Sequence, residues 1–398
     1  MFLTLLFYAG VVIGEAACIA YAINVLHGYP WRSRWTEEIT LVALAAIGLG
    51  SLELARRYWF VPVSSWPTSV AALAGGFCLI GFVGVPAAQL SRSLRSRFVG
   101  VIPSERREEL QDLPREEFIG DGHHAWLLRL PGNRSLDLEA HDFSVAFPQL
   151  PDEMNGLSVL HLTDLHFSRA YDRRYFQAVC EAAADMPSDI VLVTGDMVDD
   201  PACIEWIAPL LKDLPGPLGK FAILGNHDHF HDSELIAAAL TEAGFRVLDG
   251  ETTLVDVEGR RLAVGGTCAP WGPPIPDDAV PSADFSLLMS HTPDQVYKSA
   301  KQGWDFILTG HNHGGQIRFP LIGPLLMPSV YSRRFDRGFF RIRPSLMYVS
   351  QGIGAKHPIR YGCVPEITRF TLVRSEATAR RDLAASSGAT KASSCSPT

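Results

Sequence analysis

No two of the seven cysteines (Cys18, Cys78, Cys180, Cys203, Cys268, Cys363, Cys395) stand at a CxxC or other paired spacing. That scatter excludes a structural zinc site built on thiolates. It argues for reduced packing residues rather than a disulfide framework. Basic charge is also in short supply: 35 Lys and Arg face 43 Asp and Glu, a net charge of −8. Such a balance argues against a nucleic-acid-binding surface, and no nucleic-acid partner is expected. Charged residues make up only 20% of the chain, and the shortage is concentrated in the first ninety residues. Internal repeats are absent. The one biased segment is the Ala/Ser-rich tail over 375–398, which has too little apolar content to pack and is expected to be disordered.

Where charge is missing, apolar runs take its place. Phe2 to Val25 is apolar apart from Glu15 and small polar residues. At about 1.5 Å per residue it is long enough to cross a ~30 Å hydrocarbon core. A signal peptide is the competing reading, but there is no basic leading segment and the run is too long. A second run covers Ile39 to Ala55, with Glu53 near its end and Arg56 and Arg57 after it. A third, Val70 to Leu90, carries Gly75, Gly76, Gly81 and Gly84, which suits close helix packing in lipid. Trp31, Trp35, Trp59 and Trp66 fall between the runs, where interfacial aromatics belong. Residues 1–90 are therefore expected to form a membrane segment of two or three transmembrane helices; a buried soluble bundle is the bland alternative.

With three spans, Arg32, Arg34, Arg92, Arg95 and Arg97 fall on one side and Arg56 and Arg57 on the other. The excess places the long C-terminal portion in the cytoplasm of a multi-pass protein of the cell membrane. Glu15 and Glu53 lie in apolar surroundings. A role inside the membrane and a plain helix-end or helix-helix contact are both open to them.

Residues 91–136 read as a linker, partly helical, because ERREELQDLPREEF places opposite charges at helical spacing. LDLEAHDFSVAF alternates like a strand and opens a globular domain over 137–374. From Leu157 onward, short apolar strands alternate with helices, which implies an α/β domain. Five of those strands end in polar clusters: TDLH, GDMVD, GNHD, SHTPD and GHNH. A lone His after a strand is usually a satisfied loop residue. Ligands of α/β sheets, however, bind outside the carboxyl ends of strands, so five clusters rich in metal-binding side chains should converge.

The set D-x-H, G-D-x-x-D, G-N-H-D, a lone H and G-H-x-H resembles the calcineurin-like metallophosphoesterase superfamily over roughly residues 137 to 374. GHNHGGQ and SQGIGAKHPIRYGCVPEI resemble a membrane-anchored branch whose relatives include UDP-2,3-diacylglucosamine pyrophosphatases of lipid A biosynthesis. The resemblance implies a sandwich of two mixed β-sheets flanked by helices. It implies two divalent metal ions, Mn²⁺ before Fe²⁺ or Zn²⁺. One would be held by Asp164, His166, His313 and a bridging Asp196, and the other by Asp196, Asn226, His291 and His311. A hydroxide between the metals would attack phosphorus in line. His227 would stabilise the transition state or protonate the leaving oxygen, with Asp228 orienting it and Asp199 as a further supporting partner.

Arg360 in HPIRYG matches an arginine near the site in related sequences and is a candidate to grip a substrate phosphate, with a structural ion pair of equal weight. His229 and His231 read as loop histidines at the mouth. Asn312 stands where Thr is common in relatives and is not a ligand. The implied reaction is hydrolysis of a phosphoester or pyrophosphate of a lipid-linked or membrane-proximal substrate such as UDP-2,3-diacylglucosamine. The alternatives are a phosphodiesterase on soluble nucleotides, a non-catalytic metal-binding scaffold, and a transporter or receptor. The scaffold is disfavoured because all seven ligands and His227 are present, and the transporter because the spans lack a polar pathway.

Overall fold

The computed structural model describes residues 2–30, 33–96, 101–108, 114–278, 282–320, 322–324 and 326–375. Three of its helical stretches are long and apolar enough to cross a membrane: Leu3–His27, Glu38–Tyr58 and Thr68–Ser91. The first lies in α1 (Phe2–His27) and the second in α2 (Ser33–Tyr58). The third runs through α3 (Thr68–Leu79), a π-helical turn and α4 (Val85–Ser96). Close packing of α1 on the third span rests on glycine, on Gly81 of the expected set together with Gly14 of α1. A Cβ on Gly14 would lie 1.8 Å from the Phe77 carbonyl oxygen, and one on Gly81 would lie 2.3 Å from that of Gly10, whereas Gly75 and Gly76 face open space. Glu15 receives a hydrogen bond from Ser51 of α2, and Glu53 is paired with Arg56 and Arg57 at the end of its own helix. Both carboxylates thus have structural partners. The tail after 375 lies outside the described residues.

The remaining chain runs through β1 (Val101–Glu108), β2 (Glu139–Phe147), β3 (Ser158–Leu162), α5 (Arg173–Ala184), β4 (Ile190–Thr194), α6 (Ile207–Leu211) and β5 (Gly219–Ile223). It continues through α7 (Asn226–Phe230), α8 (Ser233–Glu242), β6 (Arg246–Val247), β7 (Thr252–Val257), β8 (Arg260–Thr267), β9 (Phe285–Ser290) and α9 (Val296–Gln302). Last come β10 (Phe306–Thr309), β11 (Arg318–Phe319), β12 (Gly323–Pro324), β13 (Gly338–Ile342), β14 (Ser345–Val349) and β15 (Glu366–Arg374). Two mixed sheets result. One has the order β1-β2-β15-β3-β4-β5-β6 and the other β13-β14-β10-β9-β8-β7, while β11 and β12 pair apart as a hairpin.

The two sheets face each other across a core that includes Val159, Leu192, Phe221 and Phe370 from the first and Val264, Leu287, Phe306 and Tyr348 from the second. Outside the first sheet a second core takes in Phe176 of α5, Leu211 of α6 and Leu240 of α8. A third, with Val296 of α9 and Trp304, covers the other sheet. Parallel strands covered on both faces need apolar side chains throughout, which is why β4, β9 and β10 are buried at every position. Within the first sheet β3, β4 and β5 run parallel, and so do β8, β9 and β10 in the second. Their carboxyl ends carry the five polar clusters.

The linker expectation needs one correction. Val101–Glu108 is not helical but forms the edge strand β1, antiparallel to β2, while α4 reaches Ser96 and short 3₁₀ turns form at Arg115–Phe118 and Ala125–Arg129. Backbone pairing with β2 outweighs the modest helical preference of spaced charges. Phe118, Leu128 and Leu136 are buried in the core beneath the first sheet, so the globular unit begins well before residue 137.

One buried polar network ties this frame to the site. Glu366 of β15 accepts from Tyr348 Oη at 2.7 Å and from Gln351 Nε2 at 2.6 Å, and its backbone N–H donates to the Gly352 carbonyl at 3.0 Å. The segment 351–354 is thereby laid beneath Asp164, whose carbonyl accepts from Gly354 N at 2.7 Å. Burial disfavours the His141 imidazolium, but Glu139 and Glu366, each 3.5 Å from its Nε2, outweigh it and hold its pKa up to about 9. The pairing also holds Glu366 down to about 2 against burial. A histidine raised in this way stabilises fully below its unfolded pKa of about 6.5 and loses that contribution as pH climbs through the folded value. The stability difference between the wild type and His141→Gln, at most about 3 kcal/mol, should therefore shrink between pH ~6.5 and ~9. Urea unfolding across that range tests it, and a difference that stays constant would refute the role.

Candidate metal centre

The loops after β3 and β4 are bonded to each other along their length: Asp164 N donates to Gly195 O, His166 N to Asp196 O and Phe167 N to Met197 O, at 2.8–3.0 Å. Loops from the second sheet close on them. His311 N donates to the Asp164 carboxylate at 3.0 Å, and His291 Nδ1 donates to the Thr194 carbonyl at 2.8 Å. The backbone bends sharply to do this. Asp164, His166, Asp196, His311 and His313 all have φ between 46° and 65°, a left-handed conformation that costs a residue with a Cβ roughly 1–2 kcal/mol. Left-handed backbone at five aspartates and histidines facing one cavity is the mark of strain held at a functional site.

The seven expected ligands come together in two groups. Donor atoms of Asp164, His166, Asp196 and His313 lie within 4.8 Å of one another, and so do those of Asp196, His291 and His311. Asn226 joins the second, its Oδ1 2.9 Å from His291 Nε2. Asp196 belongs to both. Bare imidazole nitrogens face each other at 3.1 Å, His166 Nε2 to His313 Nε2 and His311 Nδ1 to His291 Nε2. His311 Nε2 is buried without a hydrogen-bond partner.

Charge is distributed to match. Burial opposes protonation of His166 and His291, but the carboxylates of Asp199 and Asp196 more than offset it and hold each up to about 9. His311, pushed down to about 3, and His313, lower than its ordinary value by a wide margin, are kept neutral by burial and neighbouring cations. Four imidazoles, an amide and two carboxylates around a shared oxygen donor form the mixed set that suits borderline divalent cations, whose binding would displace the protons of His166 and His291. The residues fit a two-metal centre.

His227 lies beside the first group. Its Nδ1 is 2.5 Å from Asp199 Oδ1, and its N–H donates to Asp196 Oδ1 at 2.8 Å. Burial lowers its pKa, but Asp196 and Asp199 raise it above the ordinary value, which favours the imidazolium. The orienting carboxylate is Asp199, not Asp228 as expected from the sequence. Adjacent residues of a helical turn point apart, and Asp228 turns inward, where Oδ1 accepts from Met197 N at 2.8 Å and Oδ2 from Gly225 N at 2.8 Å. Asp228 thus joins the β4 and β5 loops, and burial pushes its pKa up to about 6.

Arg360 also departs from expectation. It is fully buried and does not line the cavity. Its guanidinium donates to the Gln351 and Gly354 carbonyls at 2.8 and 2.7 Å and sits 3.2 Å from His313 Nδ1. An arginine spent on backbone carbonyls behind a ligand positions that ligand and cannot grip substrate. Asn312, expected not to be a ligand, donates from Nδ2 to the Phe335 carbonyl. His231 lines the cavity, while His229 turns to Asp249.

In front of the ligands lies a cavity of about 380 Å³. Residues that sequence reasoning missed also line it: Trp271, its ring tilted by 50° at 4.9 Å from that of His311, together with Phe230, Lys356 and His357, His27 at the end of α1 and Tyr29 just beyond it. Trp271 opens a Pro-rich segment, WGPPIPDDAVP, whose composition marks a loop and nothing more. Nothing local marked His27.

A family model described as calcineurin-like phosphoesterase matches residues 157–315. The chain is 29% identical to the uncharacterized metallophosphoesterase YkuE of Bacillus subtilis over 59% of its own length and 85% of that protein's. It is 30% identical to phosphodiesterase YaeI of Escherichia coli, covering 56% of this chain and 84% of the relative. A transmembrane protein with metallophosphoesterase domain from Danio rerio is 25% identical over 58% of this chain and 56% of that one.

Three substitutions test the geometry. A Cβ on Gly225 would lie 2.0 Å from Asp196 Oδ1, so Gly225→Ala should displace the shared ligand and lower kcat about 100-fold. Steady-state kinetics with metal counting would show it, and an unchanged kcat would mean Asp196 tolerates displacement. Asp199→Asn should cost roughly 10- to 100-fold in kcat or metal affinity. Asp228→Asn should instead lower stability by about 1–3 kcal/mol. The reverse ranking in thermal unfolding and kinetics would restore Asp228 as the orienting group.

Proposed function

The chain belongs to the calcineurin-like phosphoesterase family, and from that premise we propose that it is a membrane-anchored enzyme cleaving a phosphoester or pyrophosphate bond of a lipid-linked substrate. UDP-2,3-diacylglucosamine is the leading case. The observation that carries the hydrolytic part is the sharing of Asp196 between two ligand groups. Two divalent cations there, manganese before iron or zinc, would polarise phosphoryl oxygens and supply a nucleophile at neutral pH.

The chain's own residues do the rest. Asp199 takes the hydrogen bond of His227 Nδ1, which leaves Nε2 to donate to a phosphoryl or leaving oxygen. Asp228 holds the two loops that carry Asp196 and Asn226 in register, and Arg360 backs His313. The three apolar helices, with the excess of arginine flanking the first and third, support a multi-pass anchor with the catalytic portion in the cytoplasm. A second reading, hydrolysis of a soluble phosphodiester such as a nucleotide, draws on the name of the E. coli relative.

Detergent-solubilised full chain should hydrolyse bis(p-nitrophenyl) phosphate and UDP-2,3-diacylglucosamine in mixed micelles with Mn²⁺. Chelation should abolish turnover, added Mn²⁺ should restore it, and Asp196→Ala should reduce it to background. Two bound ions per chain without turnover of either substrate, under Mn²⁺, Fe²⁺ or Zn²⁺, would overturn the reading. Turnover of nucleotides in preference to the lipid would select the second one.

A further inference from the structure

An anchor needs only to hold an enzyme near a membrane; α1 does more. Its last turn is clasped to the catalytic unit through Asn24, which is buried to 1% exposure. The Asn24 Oδ1 accepts from Met327 N at 2.7 Å, its Nδ2 donates to Ser332 Oγ at 2.9 Å, and its carbonyl accepts from Ser329 N at 3.2 Å. The receiving segment is held in turn by Asp294, whose carboxylate accepts from Ser329 Oγ at 2.5 Å and from Val330 N at 2.9 Å. At Gly28 the two segments touch so closely that a Cβ would lie 2.3 Å from Val330 N. A buried amide with three partners and a glycine contact define one register of α1 against the site, where a flexible tether would define none.

That register puts His27, the last residue of α1, and Tyr29, just beyond it, into the cavity in front of the ligands. His27 Nδ1 donates to the Ile23 carbonyl at 2.8 Å, and Nε2 has no hydrogen-bond partner among the described residues. The lining divides by chemistry into basic groups, Lys356, His357 and His231, and an apolar or aromatic set, Trp271, Phe230, Pro328 and Tyr29. Immediately before the clasp in the chain, the segment around β11 and β12 leaves Ile317, Phe319, Ile322 and Leu326 between 39% and 50% exposed. A cavity of about 380 Å³ holds a phosphate and an attached polar group but not long acyl chains.

We propose that the end of α1 is a specificity wall of the active site. His27 and Tyr29 contact the polar headgroup of an amphiphilic phosphoester at the point where its apolar part leaves for the bilayer, so the helix and the catalytic unit select amphiphilic over soluble substrates together. The inference rests on the phosphoesterase reading and deepens it.

Full-length protein in mixed micelles with Mn²⁺ would be assayed on hexadecyl p-nitrophenyl phosphate and on methyl p-nitrophenyl phosphate, which share a leaving group and differ only in the apolar chain. The wild type should favour the hexadecyl ester in kcat/KM. His27→Ala and Tyr29→Ala should lower the hexadecyl-to-methyl ratio roughly tenfold, chiefly through KM, while Tyr29→Phe keeps it. Asn24→Ala, which releases the clasp without touching the cavity, should lower the same ratio. Metal content and melting temperature measured in parallel report on folding. A ratio that no variant changes, or an equal loss on both esters, overturns the wall while the phosphoesterase reading stands. No turnover of either ester by the metal-loaded wild type overturns both.

Discussion

Everything at the site is arranged around the carboxylate of Asp196, where strand ends from two sheets meet. Its Oδ1 accepts from His227 N at 2.8 Å, and its Oδ2 lies 3.5 and 3.4 Å from Nε2 of His166 and His291. Burial alone would raise its pKa, yet the surrounding histidines, His291 first, hold it far below the ordinary range. A fully buried anion among imidazoles is costly unless each partner keeps its place. The polar contacts behind the ligands serve that end: Asp228 across two loops, Glu366 beneath Asp164, and Arg360 behind His313.

The same demand accounts for the backbone. The ligands stand just beyond the strand ends, where the chain must leave its sheet before it can close on the loops opposite. Left-handed turns at Asp164, His166, Asp196, His311 and His313 redirect them at roughly 1–2 kcal/mol each. The strain is borne by a continuous inter-sheet core and by paired loops, which over-determine the turns. Cations bridging the ligands would repay part of it, which couples metal loading to the order of these loops.

How much of this was legible in the sequence follows from the range of the interaction involved. Strand-end motifs are local, so the ligands and the parallel strands that carry them could be read directly. Which neighbour serves His227 could not, because Asp199 and Asp228 are both acidic and nearby, and only the direction of a one-turn helix decides between them. Arg360 was misassigned for a similar reason: chain proximity to the site does not say whether a side chain points in or stands behind. The strand Val101–Glu108 depends on pairing with β2, a contact that the spaced charges of the segment do not signal. His27 and Asn24 act across some 300 residues of chain, as the separation of 308 between Asn24 and Ser332 shows.

The distribution of charge bears on which molecules the cavity favours. Asp164 and Asp228 are fully buried and Asp196 nearly so, and Asp199 is engaged by His166 and His227, so the acidic groups are committed to histidines, backbone or cations. The lining also presents Lys356, several imidazoles and an aromatic wall. A chain with net charge −8 thus presents a neutral to basic surface at this one cavity. An anionic phosphoester entering it meets carboxylates of Asp196 and Asp199 already engaged by histidines, beside groups that leave room for an apolar attachment. His27 ends α1 and Tyr29 follows it directly, so the same helix that is long and apolar enough to cross a membrane also delivers side chains to this cavity.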